Sequence, residues 1–296
     1  MGSTSVASDD GAGTTTGDPA RGTTGTAATG TGDTSTSAAD GSTGDPLVLD
    51  VGTMPDSPSV DRQCQTAIDI VFVLDVSTSM DTVLTQLADE IQAVDDALAE
   101  YELETEPHYG MAVFVDDAGL MNDGQPFAEL ETLQQEFLDW AAWTAQGTQL
   151  APAGFLNYTW PENSLDALAF AANDFQWRDA DSTLRIVIHA TDDTFWVGPA
   201  MENGVAIVNG YEETIAALQA AEARVFAFTA DIGGQCECED VSAGWSAPYG
   251  PLPSIPDATD GGRFDIEQIV GGTVSFTNAI AEAVEQSYCT AYEPAG

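Results

Sequence analysis

Asp75, Ser77 and Ser79 stand at alternate positions, one carboxylate and two hydroxyls within five residues. Hard oxygen donors grouped on a short loop suit Mg²⁺ or a similar cation. They follow Ile68-Asp69-Ile70-Val71-Phe72-Val73-Leu74, a largely apolar, β-branched run with little alternation. That is the composition of a strand buried on both faces in a parallel sheet. In open α/β sheets the loops at the carboxyl ends of the strands form the binding crevice, so this strand carries Asp75 to the edge where ligands bind. The plainer reading of Asp-x-Ser-x-Ser is a capped helix start. A cation held by these three groups alone is under-coordinated, so the metal reading requires oxygens from other loops.

The remaining pattern supplies the elements to position such loops. Leu84, Leu87, Ile91, Val94 and Leu98 recur at three- and four-residue steps, the stripe of an amphipathic helix. His108 to Val115 reads as a strand. Asn122-Asp123-Gly124 is a tight-turn signal leading into a short antiparallel edge strand around Phe127. Leu133 to Ala145 and the stretch with Leu165, Leu168, Ala169 and Ala172 read as helices, and Leu184 to Ala190 as another buried strand. Ile215 and Leu218 mark a helix, Arg224 to Thr229 a strand, and Arg263 to Ile266 a short last strand. Phe276, Ile280 and Val284 line a closing helix. Strands alternating with helices predict a doubly wound, mostly parallel sheet with helices on both faces.

Two further loops carry oxygens. Asn157-Tyr158-Thr159-Trp160-Pro161-Glu162 opens a helix, and Thr191-Asp192-Asp193 directly follows the strand ending at Ala190. Each has a plain alternative: Pro and Glu suit a first helical turn, and Asp192 is a competent turn cap.

Asp75-x-Ser77-x-Ser79 behind an apolar strand resembles the metal-ion-dependent adhesion site of von Willebrand factor type A domains, the fold of integrin I domains. The resemblance spans about residues 64–289 and implies a Rossmann-like α/β fold with one antiparallel edge strand. Integrin β-subunit domains carry Asn-x-Asp-x-Pro-Glu in the second loop, and this chain is similar at Asn157, Pro161 and Glu162. The resemblance therefore implies Glu162 as a ligand of the central metal. Thr159 stands where that family has Asp and is the rival ligand, as in another version of the fold; Asn157, Thr159 and Pro161 form the stretch where an additional metal would sit. Thr191-Asp192 matches the last site position, which makes Asp192 a ligand, often through water in this family, and Asp193 a bystander or supporting acid. Integrin β domains place two acids after the serine loop for an adjacent Ca²⁺. Here Thr82 and Val83 occupy those positions, so no such neighbour is expected.

The type A resemblance also brings the ends of the domain together, which implies a disulfide between Cys64 and Cys289. Such a bridge contributes about 5 kcal/mol in the chain-entropy model. Cys236 and Cys238 are too close for ordinary bridge geometry and stay open between bridged, free and metal-bound. Trp160, Phe195 and Trp196 lie on the same loops as the ligands, as partner contacts or as core.

The chain holds 49 acidic residues against six basic ones, all Arg, for a net charge of −43. Residues 1–60 carry eight of the acids and one Arg, which leaves the rest at −36. That much like charge repels itself unless salt or bound cations screen it, and it argues against nucleic acid and anionic membrane as partners. Absence of Lys with excess acid fits a salt-rich habitat or a cation-loaded surface, with simple solubility as the plainer reading. No stretch approaches the roughly 18 apolar residues of a spanning helix, and no basic segment followed by an apolar core opens the chain.

Three parts are expected: residues 1–60 as a disordered Gly/Ser/Thr/Asp-rich tether, similar to those of bacterial surface lipoproteins, residues 61–290 as the type A domain, and 291–296 as a short tail. A hydrolase lacks its inventory: there is no Gly-x-Ser-x-Gly elbow, and His108 and His189 fall within predicted strands. The expected function is adhesion or protein binding through Mg²⁺, Mn²⁺ or Ca²⁺, with a protein ligand completing the octahedron by a carboxylate, in a secreted or cell-surface protein and without catalysis. A metal-independent module of the same fold is the alternative, and a metal-dependent hydrolase a distant one.

Overall fold

A computed structural model of the chain describes residues 64–145, 160–233 and 239–295. The expected tether (1–60), Asn157, Thr159, Cys236 and Cys238 lie outside these residues. In chain order the elements are β1 (Ala67–Asp75), α1 (Asp81–Leu98), β2 (His108–Phe114), β3 (Ala118–Leu120), α2 (Leu130–Ala145), α3 (Ser164–Asp174) and β4 (Thr183–Thr191). There follow β5 (Ala200–Glu202), β6 (Val205–Ile207), α4 (Tyr211–Ala220), β7 (Arg224–Thr229), β8 (Ile232–Gly233) and β9 (Glu239–Asp240). The chain closes with α5 (Ile255–Ala258), β10 (Gly262–Asp265), α6 (Ile266–Val270) and α7 (Phe276–Ser287).

The main sheet runs β10-β7-β4-β1-β2-β3, parallel except for the last pair. β1 is buried along its whole length, so its two faces read out as two cores, as the period-2 geometry of a strand demands. Ile68, Ile70, Phe72 and Leu74 meet the apolar stripes of α1, α2 and α7. Val71 and Val73 meet α3 and α4 on the opposite face. The continuous apolar run in the sequence is thus two half-strands' worth of core superimposed.

One expectation fails at the sheet edge. The antiparallel strand is β3, paired to β2 through Ala112–Leu120 and Phe114–Ala118, and it precedes Asn122-Asp123-Gly124 instead of following it. Asn122 and Asp123 have φ of 49° and 51°, in the left-handed region, and form a tight turn in which Gln125 N–H donates to Asn122 O at 2.9 Å. Phe127 makes a single backbone bond, its N–H donating to Tyr109 O at 2.9 Å, and founds no strand. Asn122-Asp123-Gly124 does turn tightly, but it follows the β2–β3 hairpin and leads into no strand.

Cys64 and Cys289 are disulfide-bonded across 225 residues, closing the domain next to β1 and after α7. No helix among the described residues is long and apolar enough to cross a membrane.

Candidate metal centre

β1 lies between β2 and β4, and it ends at Asp75, which is fully buried. One carboxylate oxygen of Asp75 accepts the Ser77 N–H at 2.7 Å, which folds the loop back over the strand end. The other accepts the Thr191 hydroxyl at 2.7 Å. That second contact follows from register: Leu74 pairs with Ala190, so the next residues of both strands leave the sheet side by side. Ser77 and Ser79 hydroxyls lie 3.2 Å apart, and Ser79 donates to Asp192 Oδ1 at 2.9 Å. Thr191 Oγ1 in turn accepts the Asp193 N–H at 3.1 Å. The result is that Asp75, Asp192 and Asp193 each offer a carboxylate oxygen within 4.8 Å of one another.

The second loop is fastened to the third by backbone. Glu162 N–H donates to Thr194 O at 3.1 Å and Trp196 N–H to Glu162 O at 2.9 Å, a parallel bridge of Glu162 with Phe195. Asn163 N–H donates to Val115 O at 2.6 Å, which ties the same loop to the end of β2. Glu162 is buried, and its Oε2 has no hydrogen-bond partner among the described residues. Its carboxylate stands outside the 4.8 Å group yet close enough to be governed by it.

The electrostatics are those of a site short of positive charge. Burial pushes the Glu162 carboxyl up to about 10, and Asp75, Asp193, Asp116 and Asp192 add to the rise. Burial, then Asp192 and Asp193, hold Asp75 well above the ordinary carboxylate range, against the bonds from Ser77 and Thr191. Asp192 is raised by burial, with the Ser79 hydroxyl pulling the other way. Like charges gathered in a low-dielectric setting resist joint ionisation. A hard dication is the counter-charge that all-oxygen donors of this kind accept.

The structure thus brings Asp75, Ser77, Ser79 and Asp192 together and sets Glu162, directly after Pro161, beside them. Asp193, expected as a bystander or supporting acid, places its carboxylate within the group, accepts from the Trp160 indole N–H, and has its backbone carbonyl bonded by Trp245 Nε1 at 3.2 Å. Asp116 was missed by sequence reasoning. It is buried just past β2 and acts on Glu162, and the available signal was an Asp-Asp pair directly after a predicted strand. Phe195 is a correction to the partner-contact set. It is buried and packs against Tyr211, Trp245 and Tyr249, whereas Trp160 and Trp196 are half-buried. His189 lies fully buried in β4 between Phe114 and Trp245. Burial lowers it to about 3, against a weaker upward pull from the Val73 backbone.

An Asp-x-Ser-x-Ser loop at the end of a central parallel strand, a Thr-Asp loop at the end of its neighbour, and a single antiparallel edge strand define the architecture. The fold is that of a von Willebrand factor type A domain. No protein-family model and no curated protein matches the chain in sequence. Among solved structures, an aerotolerance-related membrane protein from Bacteroides fragilis is 13% identical over 75% of this chain and 98% of its own, with a TM-score of 0.44. Proximal thread matrix protein 1 from the mussel byssus, in its form with a zinc-occupied adhesion-site motif, is 15% identical over 78% of this chain and 48% of its own, at 0.43. The chain thus spans about half of the mussel structure.

Proposed function

We propose that the type A domain binds one divalent cation, Mg²⁺ or in its place Mn²⁺ or Ca²⁺, and through it a carboxylate of a protein partner. Asp75, Ser77, Ser79 and Asp192 would hold the cation, with Glu162 as the ligand from the second loop and Asp193 as a supporting acid. The observation that carries this reading is the convergence of carboxylates from separate loops on one point, with a buried Glu162 oxygen left without a described partner. When bound, the cation supplies a positive centre at which a partner's oxygen can coordinate. The chain's own contribution is position: Asp75 fixes Ser77, Thr191 fixes Asp75 and Asp193, and Ser79 fixes Asp192.

Binding is favoured over hydrolysis by the two histidines. His108 begins β2 at the opposite edge of the sheet, and His189 is sandwiched in the core. An extracellular or cell-surface setting is supported by the Cys64–Cys289 bridge, since disulfides persist in oxidising compartments. Equilibrium dialysis of the purified chain against Mn²⁺ tests the first half of the proposal, with about one ion per chain expected. Absence of saturable binding overturns it.

A further inference from the structure

Between β4 and α4 the chain inserts the hairpin β5–β6, whose turn has Asn203 and Gly204 at φ of 48° and 88°. A two-residue Asn-Gly turn of this sign matches the twist of an antiparallel pair. Met201 pairs with Ala206 and Ala200 with Ile207. Gly198 N–H donates to Asn209 O at 2.9 Å, which extends the same register beyond the strand ends. Residues across from one another in such a ladder share a face. Pro199, Met201, Ala206 and Val208 therefore lie together on one face, and all four are exposed, Met201 by 66% and Val208 by 61%. The other face is the packed one, with Ile207 at 1% exposure.

The base of this hairpin is tied to the segment that carries Glu162. Upstream, Trp196 N–H donates to Glu162 O. Downstream, the buried Asp166 in the first turn of α3 accepts Val208 N–H at 3.0 Å, Asn209 N–H at 2.7 Å and Asn209 Nδ2–H at 2.7 Å. Glu162 and α3 adjoin in sequence, so the segments flanking the hairpin on both sides are anchored to one stretch, Glu162 and the first turn of α3. A charge-free patch at that place stands out on a chain of net charge −43. Self-association through it sets two strongly like-charged molecules together, and an anionic membrane meets the same repulsion.

We infer that the outer face of the β5–β6 hairpin is the apolar half of the partner-binding surface, and that the partner is a protein presenting an Asp or Glu beside large apolar side chains. The inference rests on the metal-and-carboxylate reading above. Asp166 is the positioning residue, and Met201 and Val208 are the contact residues.

The test uses the full chain loaded with Mg²⁺ to select from a phage-displayed random peptide library, with elution by EDTA. Selected peptides are synthesised and their affinities measured on the wild type, on Met201→Ser with Val208→Thr, and on Ser77→Ala with Asp192→Ala. The inference expects an acidic residue within a few positions of large apolar ones. It also expects the neutral hairpin variant to keep its Mg²⁺ affinity, which reports its folding, while losing at least about tenfold in peptide affinity, about 1.4 kcal/mol. Equal affinity of wild type and hairpin variant overturns the inference and leaves the metal reading standing. Recovery of no EDTA-eluted peptide overturns the carboxylate step itself. A dimer in sedimentation equilibrium that the hairpin variant dissolves assigns the face to a second copy. Flotation with phosphatidylcholine vesicles that the variant abolishes assigns it to a bilayer. Either result overturns the inference.

Discussion

Ser79 Oγ donates to Asp192 Oδ1 at 2.9 Å although 113 residues separate them. The bond joins the loop after β1 to the loop after β4, and the parallel pairing of those strands is what makes it available. Two groups read separately from the sequence are one constellation in the fold.

Adding the cation should stabilise the domain. A ligand that binds only the folded state contributes by mass action about 2.7 kcal/mol at a hundredfold excess over Kd. Thermal melts in MgCl₂ should therefore midpoint several degrees above melts in EDTA. Identical midpoints at saturating Mg²⁺ contradict the prediction.

The second loop separates two ligand assignments. Glu162→Gln should weaken metal affinity by at least about tenfold, the scale seen when groups around a metal are altered, while Thr159→Val should change it only slightly. A carboxylate brings a full charge that a hydroxyl lacks. The reverse order in a Mn²⁺ titration would assign the ligand to Thr159 and end the analogy with integrin β domains at this loop.

His189 should give the domain a measurable acid sensitivity. Its folded value of about 3 lies below the ordinary 6.5, so between these the unfolded chain binds a proton that the folded chain excludes. Stability from this group is complete above about pH 6.5 and is lost as pH falls toward 3, with a slope of at most about 1.4 kcal/mol per pH unit. His189→Phe removes the titrating group and keeps an aromatic ring between Phe114 and Trp245. Urea unfolding across that range should show a shallower loss for the variant, and parallel slopes refute the account.

Much of this was legible in the sequence because it rests on short-range chemistry. The run Ile68–Leu74 marked β1, the three- and four-residue steps from Leu84 marked α1, and Arg224–Thr229 was bounded as found. Asp75, Ser77 and Ser79 belong to one loop, and Asp192 follows a recognisable strand. What was not legible depends on partners distant in sequence. β3 is a three-residue strand with no alternation of its own, and only β2 gives it a place. Phe195 reads as a loop aromatic until Tyr211, Trp245 and Tyr249 close around it. Asp116 looks like one acid among 49 until burial sets it among those acting on Glu162. The β5–β6 hairpin carries an Asn-Gly signal, but its flanking strands are three residues each.

Removing the Cys64–Cys289 bridge should leave the fold and weaken it. Cys64→Ser should cost about 2–5 kcal/mol, the usual range for a native disulfide in a small domain. Denaturant midpoints of oxidised wild type and variant measure this. Two free thiols at these positions, found by unreduced peptide mapping of protein made in an oxidising compartment, would refute the bridge outright.

Asp166→Ala should loosen the hairpin without emptying the site. The amides of Val208 and Asn209 lose their shared acceptor, a net loss of about 0.5–1.5 kcal/mol for each bond. Hydrogen exchange at these two amides should accelerate while Mg²⁺ affinity holds. Unchanged protection there would show that the hairpin is anchored by other means.

The central claim is that loops after β1 and β4 share one cation, and calorimetric titration of Mg²⁺ into the wild type and into Ser77→Ala with Asp192→Ala tests it most directly. The account predicts one saturable site in the wild type and none in the double variant, with both proteins folded by circular dichroism. Unchanged binding in the double variant contradicts the assignment.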